Sequence, residues 1–340
     1  MRKRTVRAAA ITLAAALAFS LAACSAGEDK KSATFTAMDT VVTLSAWGDG
    51  AQNALDGARQ IVEGLESELS VTDPESAVAR ANDGETVALT PDAAALLRRS
   101  LEMCEKTGGA LDVTVYPLVR AWGFTTGEYR VPTQSEIDEL LPLVGYERVS
   151  LTEDGALTLP EGTMIDLGAV AKGYASDLVC ESLRAAGAEA ALVNLGGNVQ
   201  TVGSKPDGER WRIGIAAPFG EGSACVVTTD GGAVVTSGPY QRYFEEEGKR
   251  YCHIIDPATG YPADGGLLSV TVIGESGFEC DALSTAMFVL GADGAIGYWR
   301  EHGGFEMILI TGDGVSATPG IAPDVELSGE YEGGEIAVIG

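Results

Sequence analysis

From residue 190 onward the chain is cut at short intervals by glycine, and the segments between the cuts are too short for helices and rich in β-branched residues. Residues 190–195 form such a run and stop at Gly196-Gly197; further runs follow at 211–217, 224–229, 233–237, 251–255 and 267–273. Short apolar or alternating runs bounded by turn residues read as β-strands. Strands joined by tight turns pair antiparallel, because a parallel pair needs a crossover of a dozen or more residues. An earlier strand is expected at 40–47 (TVVTLSAW) and a last one at 305–311.

Helices are expected in separate blocks. Ala54, Leu55, Ala58, Ile61, Val62, Leu65 and Leu69 recur at helical spacing, which predicts an amphipathic helix over 51–69. Thr90 as N-cap, Pro91 behind it and Gly108-Gly109 as the stop delimit another, with Leu97, Leu101 and Cys104 along one face. Thr133 and Glu136 have capping-box spacing. Further helices are expected over 167–186, ended by Gly187, and over 281–290 and 293–302. Helices grouped between runs of strands predict an α+β architecture rather than regular βαβ alternation. No repeat of 20 to 50 residues is present. Residues 321–340, acidic and glycine-rich, read as a loosely packed tail.

The N-terminus carries a separate signal. Arg2, Lys3, Arg4 and Arg7 precede an uncharged run from Ala8 to Ala23 that ends Leu21-Ala22-Ala23-Cys24. A basic start, an apolar stretch and small residues before a cysteine describe an export signal. A run this short is marginal for a permanent span, which needs about 20 residues. The ending resembles a bacterial lipobox, which implies cleavage after residue 23, lipidation of Cys24 and a lipid-anchored place on the extracytoplasmic face of the cell membrane. Residues 24–34 then read as a lipidated tether, 35–320 as the catalytic body and 321–340 as the tail.

Removing 1–23 takes away four basic residues and no acidic ones, so the net charge goes from −26 to −30. Nucleic acid is a poor partner for such a body, since phosphate backbones require a basic footprint. A ligand bearing phosphate needs local help from a metal ion or helix N-termini. Cys104, Cys180, Cys225, Cys252 and Cys280 show neither CxxC nor zinc spacing and suit small buried apolar positions.

Walker A, GxGxxG, HExxH and GxSxG patterns are absent. Four constellations remain. Asp166 stands where an N-cap belongs, with small residues and then Lys172 behind it; this describes either a phosphate-receiving helix start or a capped helix packed through small residues. Asp281 and Thr285 are four apart beside Ser284, either a hard-cation oxygen set suited to Mg²⁺ or an N-cap with hydroxyls facing solvent. His253, before Asp256-Pro257 and Gly260, is either a proton acceptor or a packed imidazole. Asn194-Leu195-Gly196-Gly197-Asn198 and 110–115 leading to Trp122-Gly123-Phe124 are weaker, their glycines allowing close approach of backbone to a ligand.

In this order, AMDTVVTL, ALDVTVYPLVRAWGF, IDLGAVAKGYASD, NLGGNV, VTSGPYQRYF, HIIDPATGYPAD and DALSTAMFVLG resemble the FAD:protein FMN transferase family, also called the ApbE family, over roughly residues 35–319. The resemblance implies an α+β body related to the T-fold that moves the FMN half of FAD onto a Thr or Ser hydroxyl of an acceptor flavoprotein, releasing AMP. It implies FAD contacts at Met38, Ala110, Leu111, Asp112, Asp166, Lys172 and Ile255. Mg²⁺ ligands are implied at the Ala169 carbonyl, Asp281 and Thr285, with Ser284 a weaker candidate. Cleaving a pyrophosphate is phosphoryl transfer, in which positioning and charge neutralisation do most of the catalysis. His253 and Asp281 are therefore expected to be catalytic, His253 by deprotonating the acceptor hydroxyl. Thr72 departs from the pattern, standing where many members carry an aromatic. Two other readings compete: an FAD pyrophosphatase that releases FMN and AMP, and an extracytoplasmic solute-binding lipoprotein. The latter would show two lobes of βα alternation.

Overall fold

The structure, a computed structural model, describes residues 30–340. The expected export signal, its expected cleavage site and Cys24 lie outside the described residues. Among those described, no helix is long and apolar enough to cross a membrane.

The chain starts with a hairpin of β1 (Lys31–Ala37) and β2 (Thr40–Trp47). The amphipathic α1 (Ala51–Leu69) follows with the expected bounds, burying Leu55, Ala58, Val62, Leu65 and Leu69 on one face. Next come α2 (Ala77–Asn82), β3 (Val87–Ala88) and α3 (Pro91–Lys106), whose Thr90 cap accepts the Ala93 N–H. α4 (Tyr116–Ala121) precedes α5 (Gln134–Leu140), where the capping box of Thr133 and Glu136 is formed. Two short strands, β4 (Ser150–Leu151) and β5 (Ala156–Thr158), join β3 in a small sheet of order β3-β5-β4. α6 (Ala171–Ala185) then leads to β6 (Ala190–Leu195) and β7 (Asn198–Val202).

The strand-rich half contains β8 (Trp211–Ala216), β9 (Ser223–Thr229), β10 (Gly232–Ser237), β11 (Tyr243–Glu246), β12 (Lys249–Cys252) and β13 (Leu267–Gly274). The long α7 (Gly277–His302) is followed by β14 (Glu306–Thr311), β15 (Gly314–Ala317), β16 (Val325–Leu327) and β17 (Ile336–Val338). Nine of these strands form one sheet in the order β1-β2-β6-β7-β10-β13-β14-β15-β17. Its neighbours pair antiparallel except β15 and β17, so the α+β expectation is met.

Both faces of this sheet are buried. Ala233, Val235, Met307 and Leu309 point into the core with α1, α6 and α7, while Val234, Ile308 and Ile310 point into a second core. The second core is closed by a separate sheet, β16-β9-β8, through Trp211, Ile213, Ile215, Val227 and Val325. A third cluster packs Leu118, Trp122, Phe124, Ile137, Phe244 and Ile255, and the Trp122 indole donates to the Gly260 carbonyl at 2.9 Å.

Four expectations need correction. α6 begins at Ala171, four residues later than expected, and Asp166 does not cap it. Residues 281–290 and 293–302 belong to one helix broken only at Gly291 (φ 71°), and it starts earlier, at Gly277. The strand expected over 251–255 ends at Cys252, leaving Ile255 a single bridge to Pro262. Residues 321–340 are not a loose tail: β16 pairs with β9, β17 with β15, and Ile321, Val325 and Ile339 are buried.

Candidate active site

The site grows from the seam between α6 and α7. Ahead of α6, the Asn82 carboxamide grips Ile165 at both its N–H and its carbonyl (2.7 and 2.9 Å), and the Asp166 N–H donates to Val113 at 2.8 Å. These bonds fix residues 165–168 against the 110–115 loop. Asp166 accepts the Gly168 N–H at 2.8 Å, closing a local turn instead of capping a helix. Lys172 donates to the Gly168 carbonyl at 3.2 Å. The Gly173 N–H, four residues beyond Ala169, donates to Asp281 Oδ2 at 2.8 Å instead of closing the helical turn. The Ala169 carbonyl is thereby freed from the bond that a regular helix would give it.

Asp281 is 4 % exposed. Burial pushes its carboxyl up, opposed by the charge of Lys172, by the Gly173 N–H and by the adjacent Asn198 carboxamide. Asn198 is itself buried, and its Nδ2 makes no hydrogen bond. Thr285, one turn beyond Asp281, is partly exposed. Ser284 is buried, donates its hydroxyl to the Asp281 carbonyl (2.9 Å) and accepts from the Ser237 hydroxyl (2.8 Å), which leaves it a weak candidate as a ligand. A free carbonyl, one carboxylate and one hydroxyl are hard oxygen donors, and Mg²⁺ is commonly held by one or two carboxylates with waters and ligand phosphates completing its shell. Among the described residues there is no cluster of three His, Cys, Asp or Glu side chains. The donor set thus fits Mg²⁺ and does not fit zinc.

The opposite wall is built by the chain around β11 and β12. The Arg242 carbonyl accepts both the backbone N–H of His253 (3.1 Å) and its Nδ1 (3.2 Å). A carbonyl only accepts, so Nδ1 carries the hydrogen and Nε2 is left as a free acceptor. Burial first, then the charges of Arg242 and Lys172, lower the His253 imidazole to about 4, so it is neutral at physiological pH. Arg242 also pairs with Asp39 at 3.0 Å. Met38 and Asp39, the two-residue turn between β1 and β2, both take left-handed φ (51° and 56°) without being glycine. Such strained positions persist where the surroundings hold them; here the Met38 N–H is fixed by Glu66 at 2.7 Å and Asp39 by Arg242.

Electrostatics joins the walls. Burial raises the Asp166 carboxyl, while Arg242 and Lys172 lower it. Lys172 therefore acts on Asp166, Asp281 and His253, and Arg242 on Asp166 and His253. Lys172 and Arg242 thus give this acidic body a local patch of positive charge.

The remaining expected contacts behave differently. The Asp112 carboxylate is buried and already accepts from Thr114 N–H (2.8 Å), Thr114 hydroxyl (2.6 Å) and Tyr146 N–H (3.0 Å). Leu111 is buried as well, so any ligand contact of Ala110, Leu111 and Asp112 falls mainly to the main chain. Ile255 is buried in the third cluster, at the edge that carries His253. Thr72 is exposed, in a loop tied down by the Tyr116 hydroxyl through the Val71 carbonyl. Arg242 was not singled out by the sequence, and Asn198 stood only at the end of the weak run Asn194–Asn198, with no role of its own. Both stand inside resembling segments, VTSGPYQRYF and NLGGNV, but neither type at such spacing marks a ligand without the fold.

Comparison with known proteins identifies the family. The model of the ApbE family matches residues 38–309. The chain belongs to the ApbE family. It is 33 % identical over 302 residues to an FAD:protein FMN transferase of Haemophilus influenzae, covering 84 % of this chain and 87 % of that protein. The crystal structure of an ApbE protein from Thermotoga maritima superposes with a TM-score of 0.79 at 32 % identity, covering 89 % of this chain and 98 % of that one. The apo flavinyl transferase ApbE of Pseudomonas stutzeri gives 0.76 at 32 % identity, over 85 % and 94 %.

Proposed function

We propose that this ApbE-family chain is an FAD:protein FMN transferase. It moves FMN from FAD through a phosphoester bond onto a Thr or Ser of an exported or membrane-bound flavoprotein. The observation that carries the reading is the seam where the Gly173 N–H of α6 meets Asp281 of α7 (2.8 Å), with Lys172 acting there on Asp281, on Asp166 in the turn before α6 and on His253 at the end of β12.

Lys172 and Arg242 hold the pyrophosphate by charge, and the 110–112 main chain and the Met38 turn frame the rest of FAD. His253 Nε2 takes the proton of the acceptor hydroxyl. That oxygen bonds to the FMN phosphorus as the bond from phosphorus to the bridging oxygen breaks, and AMP leaves. Mg²⁺ would be held by the Ala169 carbonyl, Asp281 and Thr285, and would supply neutralisation of the charge developing on the phosphate oxygens. The N-terminal signal supports a lipid anchor at Cys24 on the extracytoplasmic face, which restricts acceptors to proteins on that side.

Incubation with FAD, Mg²⁺ and an acceptor domain, followed by intact-protein mass measurement, tests the reading. The acceptor is expected to gain the mass of one FMN with one AMP released. Free FMN with an unmodified acceptor would make the protein an FAD pyrophosphatase, and recovery of intact FAD would make it a binding lipoprotein.

A further inference from the structure

The proposed cation ligands sit on two helices, Ala169 at the entry to α6 and Asp281 and Thr285 on α7, so the register of α6 against α7 sets whether they meet. Gly173 lies on the crossing: a Cβ there would fall 2.2 Å from the Gly277 carbonyl oxygen and 2.7 Å from Asp281 Cβ. One turn further along α6 stands Asp177. Its Oδ1 accepts the Gly277 N–H (2.7 Å) and Gln200 Nε2 (2.8 Å), and its Oδ2 accepts the Ser276 hydroxyl (2.7 Å) and the Phe278 N–H (3.1 Å). Ser276 in turn accepts the Glu279 N–H at 3.3 Å.

A helix leaves its first N–H groups without internal partners. In α7 the first two are taken by a carboxylate 100 and 101 residues earlier in the chain, and that carboxylate is held in turn by β7 through Gln200. A local cap such as Ser276 stabilises a helix wherever it lies. A cap supplied by a neighbouring helix also fixes where the two stand, along the axis and in rotation.

We propose that Asp177 is a positioning residue for the cation site, pinning the first turn of α7 so that Asp281 and Thr285 face the Ala169 carbonyl. This rests on the reading that those three groups hold Mg²⁺. Partners that orient metal ligands typically change affinity by about 10- to 100-fold when lost.

Mg²⁺ binding to the folded protein is measured by isothermal titration calorimetry at 25 °C for wild type, Asp177→Ala, Asp177→Asn and Asp281→Ala, beside the Mg²⁺ dependence of AMP release. Asp177→Ala is expected to weaken Mg²⁺ by roughly tenfold or more, with the loss falling on half-saturation rather than on the rate at saturating Mg²⁺. Asp177→Asn keeps one acceptor oxygen, so it should fall between, and it carries the test if the alanine variant does not fold. A lowered melting temperature with unchanged Mg²⁺ affinity in both variants would reduce Asp177 to a structural cap and overturn the proposal. If Asp281→Ala binds Mg²⁺ like wild type, the ligand reading itself fails; loss in Asp281→Ala alone sinks only the role of Asp177.

Discussion

At the residue scale, His253 was one of two histidines in the sequence, a pattern that taken alone describes a packed residue more often than a catalyst. Its hydrogen bond to the Arg242 carbonyl and its cationic neighbours separate the two, because they leave a neutral ring with Nε2 free. The folded-state pKa of about 4 lies below the 6.5 of an ordinary imidazole, so the native state binds fewer protons than the unfolded chain between these values. The contribution of His253 to stability is therefore fully present above about pH 6.5 and is lost as pH falls towards about 4. With only two histidines, isotope-edited NMR should resolve one imidazole titrating near 4 and absent from spectra of His253→Gln. A midpoint at 6.5 for that signal would refute the neutral base. The same variant should cut FMN transfer by about 10²- to 10⁴-fold with FAD binding retained, as expected for loss of a general base.

At the element scale, legibility followed how local the determinants are. α1 was readable to the residue because its apolar stripe recurs at helical spacing, and α3 and α5 because their caps lie in adjacent sequence. The start of α6 was not, since the Gly173 N–H goes to Asp281, 108 positions away. Nor was the start of α7, which is capped partly by Asp177 and is buried on most sides in its first three turns, so that no stripe announces it. The cation candidates Asp281 and Thr285 were legible as a helical pair, whereas Arg242 and Asn198 became visible only when the fold brought their segments together. Two glycines make the contrast testable. Gly64 sits in exposed α1 with nothing within 4 Å, so Gly64→Ala should stabilise by about 0.5–1 kcal/mol. Gly173→Ala forces a methyl against the Gly277 carbonyl and should destabilise by about 1–3 kcal/mol or more. Urea unfolding of both variants checks this, and equal midpoints would contradict the close helix crossing.

At the scale of the whole molecule, one sheet serves two cores, and the C-terminal residues close the second of them. Ile321 and Val325 enter the core beneath β8 and β9, while β17 lengthens the main sheet beyond β15 and Ile339 packs into the first core. The acidic, glycine-rich composition of 321–340 hid this, because three apolar anchors spread over 20 residues leave no periodic trace. Ion pairs of Arg210 with Asp324 and Arg212 with Glu326 also reach this segment, but as exposed pairs they add little. Burying three side chains of this size at about 1.5–3 kcal/mol each amounts to roughly 5 kcal/mol or more, comparable to the entire stability of many domains. A chain ending at Pro319 should therefore melt well below the full-length protein and expose apolar surface from the second core, measured as dye binding at 25 °C. The active site lies on the helical side of the main sheet, so AMP release by whatever fraction stays folded should keep its Mg²⁺ dependence. An unchanged melting temperature would show that the segment merely covers the body without closing it.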